Sequence, residues 1–143
     1  MTVYVIDASV ASRFLLVEDL SDKAALVLED FLQEASDLRA PKLVVYEVGN
    51  TLWKAVKQGF INLDEAVQKF SYFLGLGIDS IELAGEEHKE VLEWGVRHDA
   101  TYYDSVYVRA SKNIGATLLT ADDVLYKKAH NEVLALHLKN FQK

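Results

Sequence analysis

Short β-prone apolar runs alternate with segments of helical periodicity along this chain, and that alternation predicts a parallel sheet covered by helices. Val3, Tyr4, Val5 and Ile6 form the first run, read as a strand buried on both faces, and it stops at Asp7. Ala8 to Leu16 then reads as a short helix. Ser21 opens a longer one in which Ala25, Leu28 and Leu32 recur at helical spacing, and both are expected to pack on the sheet. Leu38 to Ala40 is a short strand ended by Pro41. Val44, Val48, Leu52 and Val56 recur every four residues until Gly59, which predicts a helix. Asn62 with Glu65 has the form of a capping box ahead of the stripe Leu63, Val67, Phe70 and Leu74, with Gly75 and Gly77 at the exit. A strand within Ile78 to Leu83, a helix over Glu86 to Val96 and another from about Tyr103 to Asn113 follow. After these come a buried strand over Ala116 to Thr120, a short helix from Asp122 or Asp123 to Ala129, and a last strand over Val133 to Leu138. Right-handed crossovers place the carboxyl ends of such strands along one edge.

A length of 143 residues with 50% hydrophobic content fits one domain, residues 1–143, with one core. There is one proline, no linker-like tract and no internal repeat. No apolar run is long enough to cross a bilayer, and the N-terminus lacks a basic-then-apolar signal pattern, so a soluble, cytoplasmic protein with no membrane association is expected. The absence of cysteine excludes disulfides and thiolate metal sites, so a metal here would be held by oxygen or imidazole. A formal charge of −7 argues against coating nucleic acid by bulk attraction, though not against a local basic rim.

Most of the 22 Asp and Glu residues read as solvated helix faces, as with Glu86, Glu87, Glu90 and Glu93. Four are placed differently. Asp7 ends the first strand, in the crevice where open α/β sheets bind ligands, although an Asp there also suits the N-cap of the next helix. Asp122 follows the strand Thr117 to Thr120 across one alanine, on the same edge. Glu47 lies at the margin of an apolar helix stripe and shares that margin with Asn50. Asp104 begins a helix among Tyr102, Tyr103, Val106 and Tyr107, an unusually apolar setting for a carboxylate, with helix capping as the plain alternative.

These residues fall into four ordered motifs: D-A-S-V at Asp7 to Val10, A-P-x-L-x-x-E-V-x-N at Ala40 to Asn50, Y-D-S-V-Y at Tyr103 to Tyr107, and T-A-D at Thr120 to Asp122. Each is weak alone, but in this order and on this βα pattern they resemble the PIN domain across nearly the whole chain. Within that family the chain is similar to the VapC-type toxin ribonucleases of toxin–antitoxin pairs. The resemblance implies a three-layer α/β/α sandwich with a central, mostly parallel sheet, and an acidic quartet of Asp7, Glu47, Asp104 and Asp122. Ser9, Asn50 and Thr120 match accessory polar positions, and the pattern leaves Asp123 as a helix-start residue. It further implies an endoribonuclease acting on RNA, a VapB-type antitoxin as partner, and a homodimer.

Charge decides what such a quartet can do. Two carboxylates about 5 Å apart repel by roughly 3 kcal/mol at an effective dielectric near 20, so the cluster calls for a cation. Hard oxygen ligands favour Mg²⁺ or Mn²⁺ over zinc. Asp7, Asp104 and Asp122 are the expected metal ligands. Glu47 would complete the shell or orient an attacking water, and Ser9 or Thr120 would fix the geometry around them. Water attack with the 3′ oxygen leaving yields a 5′ phosphate and needs no 2′ hydroxyl, so the RNA preference comes from the resemblance. Arg13, Lys54 and Arg109 are candidates for a phosphate rim, each with ordinary surface charge as the alternative. Tyr102 or Tyr103 is placed to stack on a base or to serve the core. Trp53 and Trp94 are assigned to core or to a subunit contact. The four histidines have no mutual ligand spacing.

Rival classes fit less well. A phospho-acceptor receiver needs adjacent acids after the first strand, where Ala8 follows Asp7, and an adhesion-type D-x-S-x-S site fails at Ala11. A noncatalytic PIN-like module that binds RNA or a partner, and a PIN nuclease in RNA processing, remain the alternatives.

Overall fold

The computed structural model describes residues 1–143. Five strands form one sheet: β1 (Thr2–Ile6), β2 (Ser36–Pro41), β3 (Asp79–Ile81), β4 (Thr117–Thr120) and β5 (Ala135–His137), in the order β3-β2-β1-β4-β5. Every neighbouring pair is parallel, so the mostly parallel sheet expected is wholly so. Its central strands are covered on both faces, and Val5, Ile6, Leu118 and Leu119 are fully buried. Each such leucine or isoleucine contributes roughly 1.5–3 kcal/mol by leaving water. The edge strands β3 and β5 are three residues each, which leaves little open edge for unwanted pairing.

Seven helices connect the strands: α1 (Ala8–Arg13), α2 (Ser21–Leu32), α3 (Leu43–Lys57), α4 (Leu63–Leu74), α5 (Gly85–Arg97), α6 (Tyr102–Ile114) and α7 (Asp123–Ala129). The chain moves outward from β1 through β2 to β3, then returns across the sheet to β4 and on to β5. With right-handed crossovers, this reversal puts α1 to α4 on one face and α5 to α7 on the other. The packing agrees, with α1 against α2 and α3, α3 against α4, and α5 against α6. The result is the three-layer α/β/α sandwich expected. No helix is long and apolar enough to cross a membrane.

Local chemistry sets the ends of the helices. Thr101 caps α6 by accepting a hydrogen bond from the Asp104 N–H at 3.1 Å, and Gly115, at φ 63°, releases the chain into β4. The Asn62–Glu65 capping box forms in both directions. Two predicted stripes are out of phase. On α2 the buried residues are Ala24 and Val27, while Ala25 and Leu32 face solvent. On α4 they are Ala66 and Phe73, and Leu63, Val67 and Leu74 are exposed. Both segments are apolar over more than half a turn, so spacing could not choose the inward side. Trp53 is also exposed, which removes it from the core, whereas Trp94 packs against the core and stacks on His98.

Gly95 lets α5 approach the start of α6. A Cβ there would lie 2.7 Å from Ser105 Oγ and 2.9 Å from the Ala100 carbonyl oxygen, and backbone cannot rotate away. Gly95→Ala is therefore expected to cost about 1–3 kcal/mol in urea unfolding, despite alanine's better helix propensity. Unchanged or increased stability would show that the contact is looser than this geometry.

Candidate active site

The sheet reverses its order between β1 and β4, and open α/β sheets bind ligands at the carboxyl ends of the strands flanking such a point. Ile6 pairs in register with Leu119, so Asp7 and Thr120 emerge side by side. Asp7 is almost fully buried. Its Oδ1 accepts hydrogen bonds from Ser9 Oγ at 2.6 Å and from the Val10 N–H at 3.2 Å, and its Oδ2 accepts one from Thr120 Oγ1 at 2.6 Å. The Val10 bond makes Asp7 the N-cap of α1, so capping and a place in the crevice are not exclusive. Ser9 and Thr120 are themselves fixed, accepting from the Ala121 and Asp122 N–H groups at 2.8 and 3.0 Å. Burial raises the Asp7 pKa to about 6, against the three hydrogen bonds that lower it and with the charge of Asp122 adding to the rise.

Asp104, in the first turn of α6, is half-buried, and its pKa is also raised to about 6. Burial is the main cause, followed by the charges of Asp122, Asp7 and Glu47, while a hydrogen bond with Thr101 opposes them. The structure thus gathers all four predicted acids, from β1, α3, α6 and the β4–α7 turn, into one electrostatic cluster. Asp122 Oδ1 caps α7 through the Val124 and Leu125 N–H groups at 2.8 and 3.0 Å. Glu47 Oε1 accepts from the Tyr107 hydroxyl at 2.7 Å.

Asp123, adjacent to Asp122, is turned elsewhere. Its Oδ1 meets His137 Nε2 at 2.8 Å, and the Lys139 N–H donates to His137 Nδ1, which leaves the imidazole proton on Nε2. Asn50 is exposed and makes no side-chain hydrogen bond. The three candidate cations differ. Arg13 donates to Asp19 and to the Ser9 carbonyl, and Arg109 is paired with Glu87 and Glu90 at 3.1 and 2.7 Å. Arg109 also lies five residues beyond Asp104, about 140° round the helix, so sharing α6 did not put it on the acidic face. Lys54 is exposed and makes no ion pair.

The sequence model of the PIN domain matches residues 4–131. This chain belongs to the PIN domain family. It is 32% identical over 128 residues to Ribonuclease VapC3 of Pyrobaculum aerophilum, an alignment covering 87% of this chain and 92% of that protein. Exonuclease VapC9 of the same organism is 28% identical over 82% of this chain and 90% of its own length. Among solved structures, PAE2754 of Pyrobaculum aerophilum superposes with a TM-score of 0.71 at 25% identity, covering 96% of this chain and 92% of that one.

The donor chemistry of this PIN domain fits a hard divalent cation. Its cluster is all carboxylate, and Glu47 Oε2, Asp122 Oδ2 and the second lone pair of Asp7 Oδ2 have no protein hydrogen bond. No three of the acids and imidazoles stand close enough together to hold a metal ion in this structure, although the charges of Asp122, Asp7 and Glu47 help to raise the pKa of Asp104. The two observations are compatible, because charge interaction acts well beyond coordination distance. Tyr107 is the member of the constellation that motif reading passed over. Its place three residues after Asp104, on one helix face, was the available signal.

Proposed function

We propose that this chain is a Mg²⁺- or Mn²⁺-dependent endoribonuclease, the toxin of a VapBC-type toxin–antitoxin pair. One observation supports the reading: at the sheet's reversal Asp104 lies within electrostatic reach of Asp7, Glu47 and Asp122, carboxylates from separate parts of the chain, and Asp7 and Asp104 have pKa values raised to about 6. A structural cluster has no reason to accumulate like charge in a half-buried crevice, whereas a cation site does. The name of Ribonuclease VapC3 supports RNA as the substrate, and the name of Exonuclease VapC9 supports nuclease activity alone.

Asp7, Asp104 and Asp122 would hold the cation, which supplies charge neutralisation and a more acidic water for in-line attack at phosphorus. Ser9 and Thr120 clamp both Asp7 oxygens, and their own ties to the β4–α7 turn keep Asp7 and Asp122 in fixed relation. Glu47 offers its second oxygen to the attacking water. Lys54, seven residues along α3 from Glu47 and so on its face about 10 Å away, meets the RNA backbone. The products are a 5′ phosphate and a 3′ hydroxyl. The exposed Leu63, Val67 and Leu74 of α4 support contact with a second protein chain, either the other half of a homodimer or the antitoxin, in a cytoplasmic setting.

Purified protein incubated with total RNA, with Mn²⁺ or with chelator, tests this directly. Internal cuts bearing 5′ phosphates are expected with Mn²⁺ alone. Stepwise shortening from one end would replace the endonuclease assignment with the exonuclease activity that the name of VapC9 carries, and intact RNA under every condition would favour a noncatalytic binding module.

A further inference from the structure

The hydroxyl of Tyr107 occupies an unusual position. Tyr107 lies on α6, on one face of the sheet, and Glu47 lies on α3, on the other, so their 2.7 Å hydrogen bond closes over the carboxyl ends of the strands and links the two helical layers beside the acidic cluster. The ring is 1% exposed and ranks among the largest fully buried side chains, so the hydroxyl has no solvent partner to exchange for Glu47. One hydroxyl therefore ties α6 to the carboxylate of Glu47 on the opposite layer. Burial, then the bond to Glu47 and the charges of Glu47 and Asp7, raise the Tyr107 pKa far above the usual phenol value, so it stays a neutral donor throughout the working range.

We propose that Tyr107 is a positioning residue for the cation site: its hydroxyl, on α6, holds Glu47 Oε1 across the two helical layers, so that the other Glu47 oxygen faces the same crevice as Asp7. This inference rests on the nuclease reading above and extends it to a residue outside the four acids. A phenol suits the task because it donates a proton without bringing a positive charge that would compete with the cation. A flexible carboxylate on α3 would otherwise turn toward water and away from three like charges.

Tyr107→Phe removes only the hydroxyl and keeps the ring that fills the core. The expected result is an apparent Mn²⁺ affinity, measured by calorimetry without RNA, weakened about 10- to 100-fold. RNA cleavage should show a similar fall in kcat with KM little changed. A merely structural role would lower the melting temperature and leave cation affinity and kcat within about twofold of the parent, and that outcome overturns the proposal. The Glu47→Gln variant and the double variant supply a second check that does not depend on Tyr107→Phe being well folded alone. If Tyr107 acts through Glu47, adding Tyr107→Phe to Glu47→Gln changes kcat little, whereas full multiplication of the two losses contradicts it. A parent that neither binds Mn²⁺ nor cuts RNA brings down the nuclease reading and this proposal together. A parent that does both, with Tyr107→Phe indistinguishable from it, refutes the role of Tyr107 alone.

Discussion

Asp7→Asn is expected to lower RNA cleavage by at least about 10²-fold and at the same time to raise the melting temperature of the cation-free protein. The two effects have one origin. Asp7 is 4% exposed and its pKa stands at about 6, so at pH 7.5 the fold carries a buried negative charge that it holds at a cost on the order of 3 kcal/mol. Asparagine has the same shape and can keep hydrogen bonds with Ser9, Thr120 and the Val10 N–H, but it carries no charge. A stability gain of even about 1 kcal/mol shifts Tm by roughly 3–4 °C in a chain of this size. The same substitution would delete a charge of the proposed cation site, so the Tm gain expected on adding Mg²⁺ should vanish in the variant. Scanning calorimetry with and without Mg²⁺, alongside an RNA cleavage assay, reads all three. Equal nuclease activity in variant and parent would remove Asp7 from the site. A large loss of stability would mean that Asp7 serves α1 as a cap and little else.

Cation binding and pH should oppose one another in a defined window. Asp7 and Asp104 both have folded pKa values of about 6, above an unfolded carboxylate near 3.9. Between those values the folded state binds more protons than the unfolded state. The stability these groups contribute is therefore complete below about pH 4 and is lost as pH rises through about 6. Glu29, Glu87 and Glu132 have lowered pKa values from hydrogen bonds and cationic neighbours, so their contribution is lost in the opposite direction, as pH falls below the ordinary carboxylate range. Cation-free protein should thus lose stability from about pH 5 to 6.5. Mg²⁺ competes with those protons. Cation at about 100 times its Kd adds roughly 2.7 kcal/mol at pH 7.5. At pH 5 each carboxylate that must first lose its proton weakens apparent affinity about tenfold, so two of them reduce the gain to a few tenths of a kcal/mol. Melting curves at both pH values, each with and without Mg²⁺, measure the difference. A Tm gain that is the same at pH 5 and pH 7.5 would show that neither raised carboxylate takes part in holding the cation.

The elements of this protein were legible in its residues because periodicity and capping are local. The run before Asp7, the capping box at Asn62 and the exit at Gly115 each sit where the sequence predicts. Boundaries were less so: β2 runs on through Pro41, since an edge of the backbone can pass a missing N–H at the strand's end, and the last strand shortens to Ala135–His137. The inward faces of α2 and α4 were misread for a different reason. Apolar residues there occupy more than one side, and only the neighbour they pack against distinguishes Ala24 and Val27 from Ala25 and Leu32.

The four acids were named through the resemblance of four ordered motifs to the PIN domain, which no single spacing carries. Their relation to one another belongs to three dimensions. Reversal of strand order between β1 and β4 sets Asp7 beside Thr120, although 113 residues separate them in the chain. Burial raises the pKa of Asp7 and Asp104, and burial is a property of packing that no spacing encodes. Packing also turned Arg109 toward Glu87 and Glu90, and it brought the Tyr107 hydroxyl to Glu47 from the opposite layer. Local pattern names the groups that can carry charge; the long-range closure of the sheet sets which of them share a crevice and how strongly water is excluded from it.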